Sequence, residues 1–234
     1  MIELLRRDSR LTGVAGIGST SQGWSDHWSD IDVGVGVAGG VDIDEVIADW
    51  TQLLDSEFGI LHRWDLRAGA TLYRVFLLPT GLEIDLSFSP EDHFAARGPA
   101  FVLLFGRAAE ASEASPPDVD ELVGLGWLFL WHALAALERQ KYWSAEYFIS
   151  ATRDQVLTLA CLRVGEETAY ARGFDRLPKE VTAPMQGALV ATLDPTELHR
   201  ALSIAAEGLM QEISFVNPQL SRALRGLVDP MLHG

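Results

Sequence analysis

The feature that most constrains this chain is a change of hydrophobic period part-way along it. Residues 1–106 alternate short, β-rich apolar runs with one clear helix, whereas residues from about 119 onward repeat their apolar positions at helical spacing almost without a break. Between them lies AEASEASPPDVDE, residues 109–121, small and acidic, with a Pro-Pro step that interrupts regular structure. The division predicts an α/β (α+β) domain with a mixed sheet over residues 1–108, a linker over 109–118, and an all-α helical bundle over 119–234.

In the first half, residues 2–10 read as a short helix and residues 12–17 as a buried strand ending in Gly-Ser. A polar stretch, STSQGWSDHWSD, leads into IDVGVGV at 31–37, a second strand. Ile43, Val46, Ile47, Trp50, Leu53, Leu54 and Phe58 then fall on one helical face, with Asp42 placed to cap it. Further strands are predicted at 60–66, 71–78 and 82–88. In the second half, helices are predicted at 119–140, 142–164, 178–192, 195–215 and 218–228, with Asp194-Pro195 opening the fourth. The aromatic residues Trp127, Phe129, Trp131, Tyr142, Trp143, Tyr147 and Phe148 are expected mostly in the bundle core, with one or two rings facing a ligand.

Charge narrows the function. The 234 residues carry 18 Lys plus Arg against 33 Asp plus Glu, a formal net charge of −15, which argues against a nucleic-acid binder that must neutralise phosphates with cations. Only Lys141 and Lys179 are lysines, so the positive charge is almost all guanidinium. A single cysteine, Cys161, excludes an internal disulfide and a thiolate-rich metal site, and fits a free buried thiol in a reducing, cytoplasmic setting. The densest apolar run, residues 122–137, contains two glycines and His132. It is expected to fall short of the roughly 18–20 apolar residues of a membrane span, so no membrane partner is predicted. His27, His62, His93 and His132 show no metal-ligand spacing.

The residues that carry chemistry are Gly18 and Ser19 in GIGSTSQG, followed by Asp30 and Asp32 in SDIDV. A strand that ends in Gly-Ser leaves backbone N–H groups and a hydroxyl at a tight turn, a good host for phosphate oxygens. Asp30 and Asp32, two apart at the start of a strand, point to one face, and like charges so close call for a cation between them. Hard divalent ions, Mg²⁺ above all, bind phosphates through such carboxylates. In LEIDLSF, alternation puts Ile84, Leu86 and Phe88 on one face and Glu83, Asp85 and Ser87 on the other. If that strand lies beside 31–37, a third acid joins the pair, the requirement for a two-metal displacement at phosphorus. Trp24 and Trp28, flanking the acidic loop, are candidates to stack on a base or sugar ring.

This arrangement, Gly-Ser, a short spacer, Asp-x-Asp and a later acid in EIDLS, resembles the DNA polymerase beta type nucleotidyltransferase superfamily over about residues 12–90. With a helical second half it looks like the aminoglycoside and lincosamide nucleotidyltransferases. The resemblance implies that Gly18 and Ser19 hold the triphosphate and that Asp30 and Asp32 ligate metal, two Mg²⁺ ions being expected. Asp85 would supply the third ligand or take the acceptor-hydroxyl proton, with Glu83 as rival for that proton. In EYFISATRDQ, residues 146–155, Arg153 sits where the related enzymes reach the nucleotide phosphates, and Lys179 follows in a comparable place. Thr20, Ser21 and Gln22 stand where the family often has basic residues. The implied activity is transfer of AMP from ATP to a hydroxyl of a small acceptor, a polycationic aminoglycoside first and a neutral lincosamide-like molecule next, hence antibiotic resistance. Two alternatives are a protein-AMPylating, antitoxin-like enzyme and a nucleotide-binding protein of this fold with weak or no catalysis. Either a monomer or a homodimer fits the sequence.

Overall fold

The computed structural model describes residues 1–234 other than 19–22, 24, 25, 97, 99, 111–116 and 234, and the side chains of residues 231 and 233 also lie outside it. It divides into two compact units, Met1–Ala114 and Ser115–Gly234.

The first unit is a mixed sheet with helices on one face. After α1 (Ile2–Arg7) come β1 (Leu11–Gly16), β2 (Ile31–Val37), α2 (Ile43–Phe58), β3 (His62–Ala68), β4 (Thr71–Leu77), β5 (Glu83–Pro90) and β6 (Val102–Gly106). The sheet order is β3-β4-β5-β2-β1-β6. Only the central β2–β5 pair runs parallel; its neighbours are antiparallel.

Period-two alternation decides which face is core. Val33, Val35 and Val37 of β2, with Ile84, Leu86 and Phe88 of β5, enter one apolar cluster with Val46, Ile47, Trp50 and Leu54 of α2. α2 starts where Asp42 accepts a hydrogen bond from the Asp44 N–H at 2.9 Å. Its Trp50 indole donates to Asp8 at 3.0 Å, tying α2 to the turn after α1. The opposite face carries the glycines of β2. At Gly36 a Cβ would come within 2.8 Å of the Phe94 ring, so the strand accepts that ring only because it has no side chain there.

The second unit consists, among its described residues, of α3 (Val119–Glu138), α4 (Tyr142–Val164), α5 (Lys179–Gln186), α6 (Pro195–Val216) and α7 (Pro218–His233), with short 3₁₀ turns at Ala169–Ala171 and Phe174–Arg176. Its core is made of leucines and small residues, among them Ala133, Ala145, Ala160, Ala201 and Ala205, all fully buried. At Gly126 a Cβ would meet Leu209 at 2.7 Å, so α3 and α6 approach closely at that point.

Four expectations need correction. Trp127, Trp131, Trp143 and Tyr147 are exposed rather than core, Trp143 at 77%, because small residues fill the helix contacts and leave the rings outside. α5 ends at Gln186 instead of continuing to 192: the following turn is held by Arg200, which donates to the carbonyls of Gly187 and Leu189. β6 was not anticipated; it is a mostly exposed edge strand without alternation. α3 is, by length and composition, apolar enough to cross a membrane; in the bundle, its Val123, Leu130, Leu134 and Leu137 enter the core.

Candidate active site

Strand pairing builds the site. In the parallel β2–β5 pair, Asp32 stands directly opposite Asp85, and both lie on the face away from the apolar cluster. Asp30, two residues before Asp32, lies close enough for its carboxylate to raise that of Asp32. Glu83, at the start of β5, is exposed on the same face, while Asp30, Asp32 and Asp85 are half-buried.

The turn after β1 closes over this pair. The Ile17 N–H donates to the Asp32 carbonyl at 3.2 Å, and Gly18 follows. A Cβ on residue 18 would fall inside the Asp32 carboxylate, so close approach of backbone to carboxylate requires glycine here. Ser19, the other half of the Gly-Ser pair, and Trp24 lie outside the described residues. On the other side, the lead into β2 is a compact turn in which Asp26 accepts from the Trp28 N–H at 2.8 Å and from the Ser29 hydroxyl at 3.1 Å. This turn leaves Trp28 88% exposed. An open cavity of about 720 Å³ follows, lined by Asp26, Trp28, Asp30 and Glu83, with Thr80 and Leu82.

Electrostatics marks the acids as unusual. Burial, then the nearby carboxylate of Asp30, then the charges of Asp85 and Glu83, push Asp32 up to about 6. Burial first, then Glu83 and Asp30, push Asp85 up to about 6 as well. No cation is among the causes for either group. Asp85 Oδ1 is buried with no hydrogen-bond partner among the described residues. Among the described residues no three His, Cys, Asp or Glu side chains form a ready-made metal cluster. Even so, an orphaned buried carboxylate oxygen beside two further acids is a donor set of the hard-oxygen kind that suits a divalent cation.

Arg153 and Lys179 belong to the second unit. Arg153 turns onto its neighbour Asp154, donating from Nε at 3.0 Å and from Nη2 at 2.8 Å. Lys179 opens α5 and is exposed. Cys161 is buried and unoxidised, and burial pushes its thiol up from the ordinary range.

Among solved structures, the chain is similar to an aminoglycoside 6-adenyltransferase from Bacillus subtilis, at 12% identity and a TM-score of 0.47, over 100% of this chain and 96% of that one. It is also similar to a nucleotidyltransferase-like protein from Exiguobacterium sibiricum 255-15, at 12% identity and a TM-score of 0.41, over 96% of this chain and 77% of that one. No family model matches the sequence, and no curated protein matches it.

Proposed function

We propose that the chain is a Mg²⁺-dependent nucleotidyltransferase that moves a nucleoside monophosphate, AMP from ATP, onto a hydroxyl of a small molecule. The observation that carries this reading is the in-register Asp32–Asp85 pair with Asp30 beside it and, among the described residues, no cation set against Asp32 or Asp85. Asp30, Asp32 and Asp85 would hold the metal. When bound, a divalent ion supplies positive charge against the triphosphate and stabilises the charge that develops on the phosphoryl oxygens.

The chain's own residues do the rest. The turn at Gly18, which lacks a side chain where it presses against Asp32, would let the triphosphate come close to the acids. Asp85 accepts the proton of the acceptor hydroxyl as that oxygen bonds to the α-phosphorus. The bond from the α-phosphorus to the bridging oxygen breaks, and its electron pair leaves with pyrophosphate. Asp85 stands beside Asp32 with one buried oxygen that has no partner among the described residues, which favours it over the exposed Glu83. The acidic cavity with Trp28 at its rim supports an acceptor that is hydroxylated and cationic, such as an aminoglycoside.

The test is incubation with labelled ATP, Mg²⁺ and a panel of hydroxylated antibiotics, following pyrophosphate release in the wild type and Asp32→Asn. Turnover in the wild type alone is the expected result. Absence of turnover on every acceptor, together with absence of Mg²⁺-dependent ATP binding, sinks the reading. Binding without turnover instead favours a nucleotide-binding protein of this fold.

A further inference from the structure

The face of the sheet that bears the carboxylates continues beyond them into a crevice of about 180 Å³. Two residues along from Asp32 and Asp85, Gly34 of β2 stands opposite Ser87 of β5, and Ser87 stands opposite Tyr73 of β4. One rung further, the hydroxyls of Thr71 and Ser89 pair with each other at 2.8 Å. His93 and Phe94 close the far wall.

Ser87 is the telling residue. It is only 6% exposed and lines the crevice, yet its hydroxyl makes no hydrogen bond among the described residues. Its oxygen is reached from the crevice and is not sealed in the core, whereas Thr71 and Ser89 satisfy each other two residues away. The Tyr73 hydroxyl also makes no hydrogen bond among the described residues. Gly34 keeps the space open: a Cβ there would stand 3.5 Å from Ser87 Oγ and 3.3 Å from both Ile17 and Phe94. Among the described residues, no carboxylate or guanidinium lines the crevice, in contrast to the acidic cavity on the Glu83 side. Its volume is below the roughly 300–1,000 Å³ of pockets for drug-sized ligands, which leaves room for one small ring.

We infer that this crevice is the acceptor's ring subsite: it takes a hydroxyl-bearing ring, hydrogen-bonded by Ser87 and Tyr73, and so sets the neighbouring hydroxyl at Asp85. The inference rests on the nucleotidyl-transfer reading for what happens at Asp85, and on the crevice alone for what binds. The same ring chemistry exists in the ribose of a nucleotide. Adjacency to Asp85, the group that takes the acceptor proton, favours the acceptor.

The experiment is saturation-transfer NMR of the whole protein with methyl α-glucopyranoside as probe, on the wild type, Ser87→Ala, Ser87→Val and Gly34→Ala, each first checked for folding by circular dichroism. Wild-type protein is expected to saturate the probe, and Ser87→Ala to bind it about fivefold more weakly, the worth of one uncharged hydrogen bond. Ser87→Val and Gly34→Ala, which also narrow the crevice, are expected to abolish the signal. No saturation with the wild type, or equal saturation across all four proteins, overturns the inference. ATP and 2′-deoxy-ATP titrations with Mg²⁺ on the same samples separate the two sources. If Ser87→Ala weakens ATP but not 2′-deoxy-ATP, the ring is the nucleotide's ribose and the acceptor assignment falls. If Mg²⁺-dependent ATP binding is absent while the probe effect persists, the transfer reading fails and the ring site stands.

Discussion

Each unit of this protein withdraws a carboxylate from water, and the two solve the resulting problem in opposite ways. In the helical unit, Glu212 is 4% exposed and accepts two hydrogen bonds from Arg163, from Nε at 2.9 Å and Nη2 at 2.8 Å. That guanidinium lies in turn 4.6 Å over the Phe215 ring. In the sheet unit, among the described residues, the charged groups acting on Asp32 and Asp85 are other acids, and one Asp85 oxygen has no partner. The buried acid of the helical unit has a bidentate arginine, and among the described residues the two half-buried acids of the sheet unit have none. The difference separates an acid that holds structure together from the acids proposed above to hold a cation.

The largest expected effect breaks the sheet-unit side of this comparison. Asp85→Asn keeps the shape of the side chain and removes its capacity to take a proton. Turnover in the pyrophosphate assay should fall by about 10²–10⁴-fold, the usual worth of a general base. Glu83→Gln, at an exposed position, should cost less than about tenfold by the same measure. A larger loss in Glu83→Gln than in Asp85→Asn would transfer the proton-accepting role to Glu83.

Next in size is the helical-unit side. Arg163→Met leaves Glu212 buried and unpaired, a change that typically costs about 3–5 kcal/mol when both partners are fully buried. Because a third of the Arg163 side chain is exposed, about 2–3 kcal/mol is expected, read as a lower denaturation midpoint in urea with an unchanged slope. The double variant Arg163→Met, Glu212→Leu should recover most of the loss. If it stays as unstable as the single variant, lost packing and not the stranded charge is the cause.

How much of this was legible before the fold was known follows from the same contrast. The alternation in LEIDLSF separated Ile84, Leu86 and Phe88 from Glu83, Asp85 and Ser87 because a strand has only two faces. The pairing of Asp32 with Asp85 was conditional on the two strands being neighbours, since no local pattern states which strands pair. β6 was missed because a mostly exposed edge strand shows no alternation. Tyr142 and Phe148 pack against the bundle core as expected, while Trp127, Trp131, Trp143 and Tyr147 do not, because apolar content does not say which side of a helix meets its partner. Here alanines and Gly126 take the contacts. Ser87 was placed on the acidic face by alternation, but its role needed Tyr73 and Gly34 in register beside it.

The smallest expected effect is also the one with an unusual sign. Asp32 and Asp85 are raised from 3.8 to about 6 in the folded chain, so between about pH 4 and 6 the native state holds more protons than the unfolded one. The stability these groups contribute is present in full below about pH 4 and lost as pH rises through about 6, opposite to the behaviour of salt-bridged carboxylates such as Asp65, which Arg74 holds below its usual range. Asp32→Asn should therefore stabilise the metal-free protein at pH 7.5 by about 1 kcal/mol, the full shift being discounted because the group is half-exposed. It should change nothing below about pH 4. Saturating Mg²⁺ should stabilise the wild type at pH 7.5, by about 2.7 kcal/mol at a hundred times its Kd, and should lose its effect below about pH 6, where protons compete for the same oxygens. In thermal melts, Asp32→Asn should then be the more stable protein without Mg²⁺ and the less stable one with it. Curves that never cross would mean that the acids of the sheet unit are no more reserved for a cation than Glu212 is.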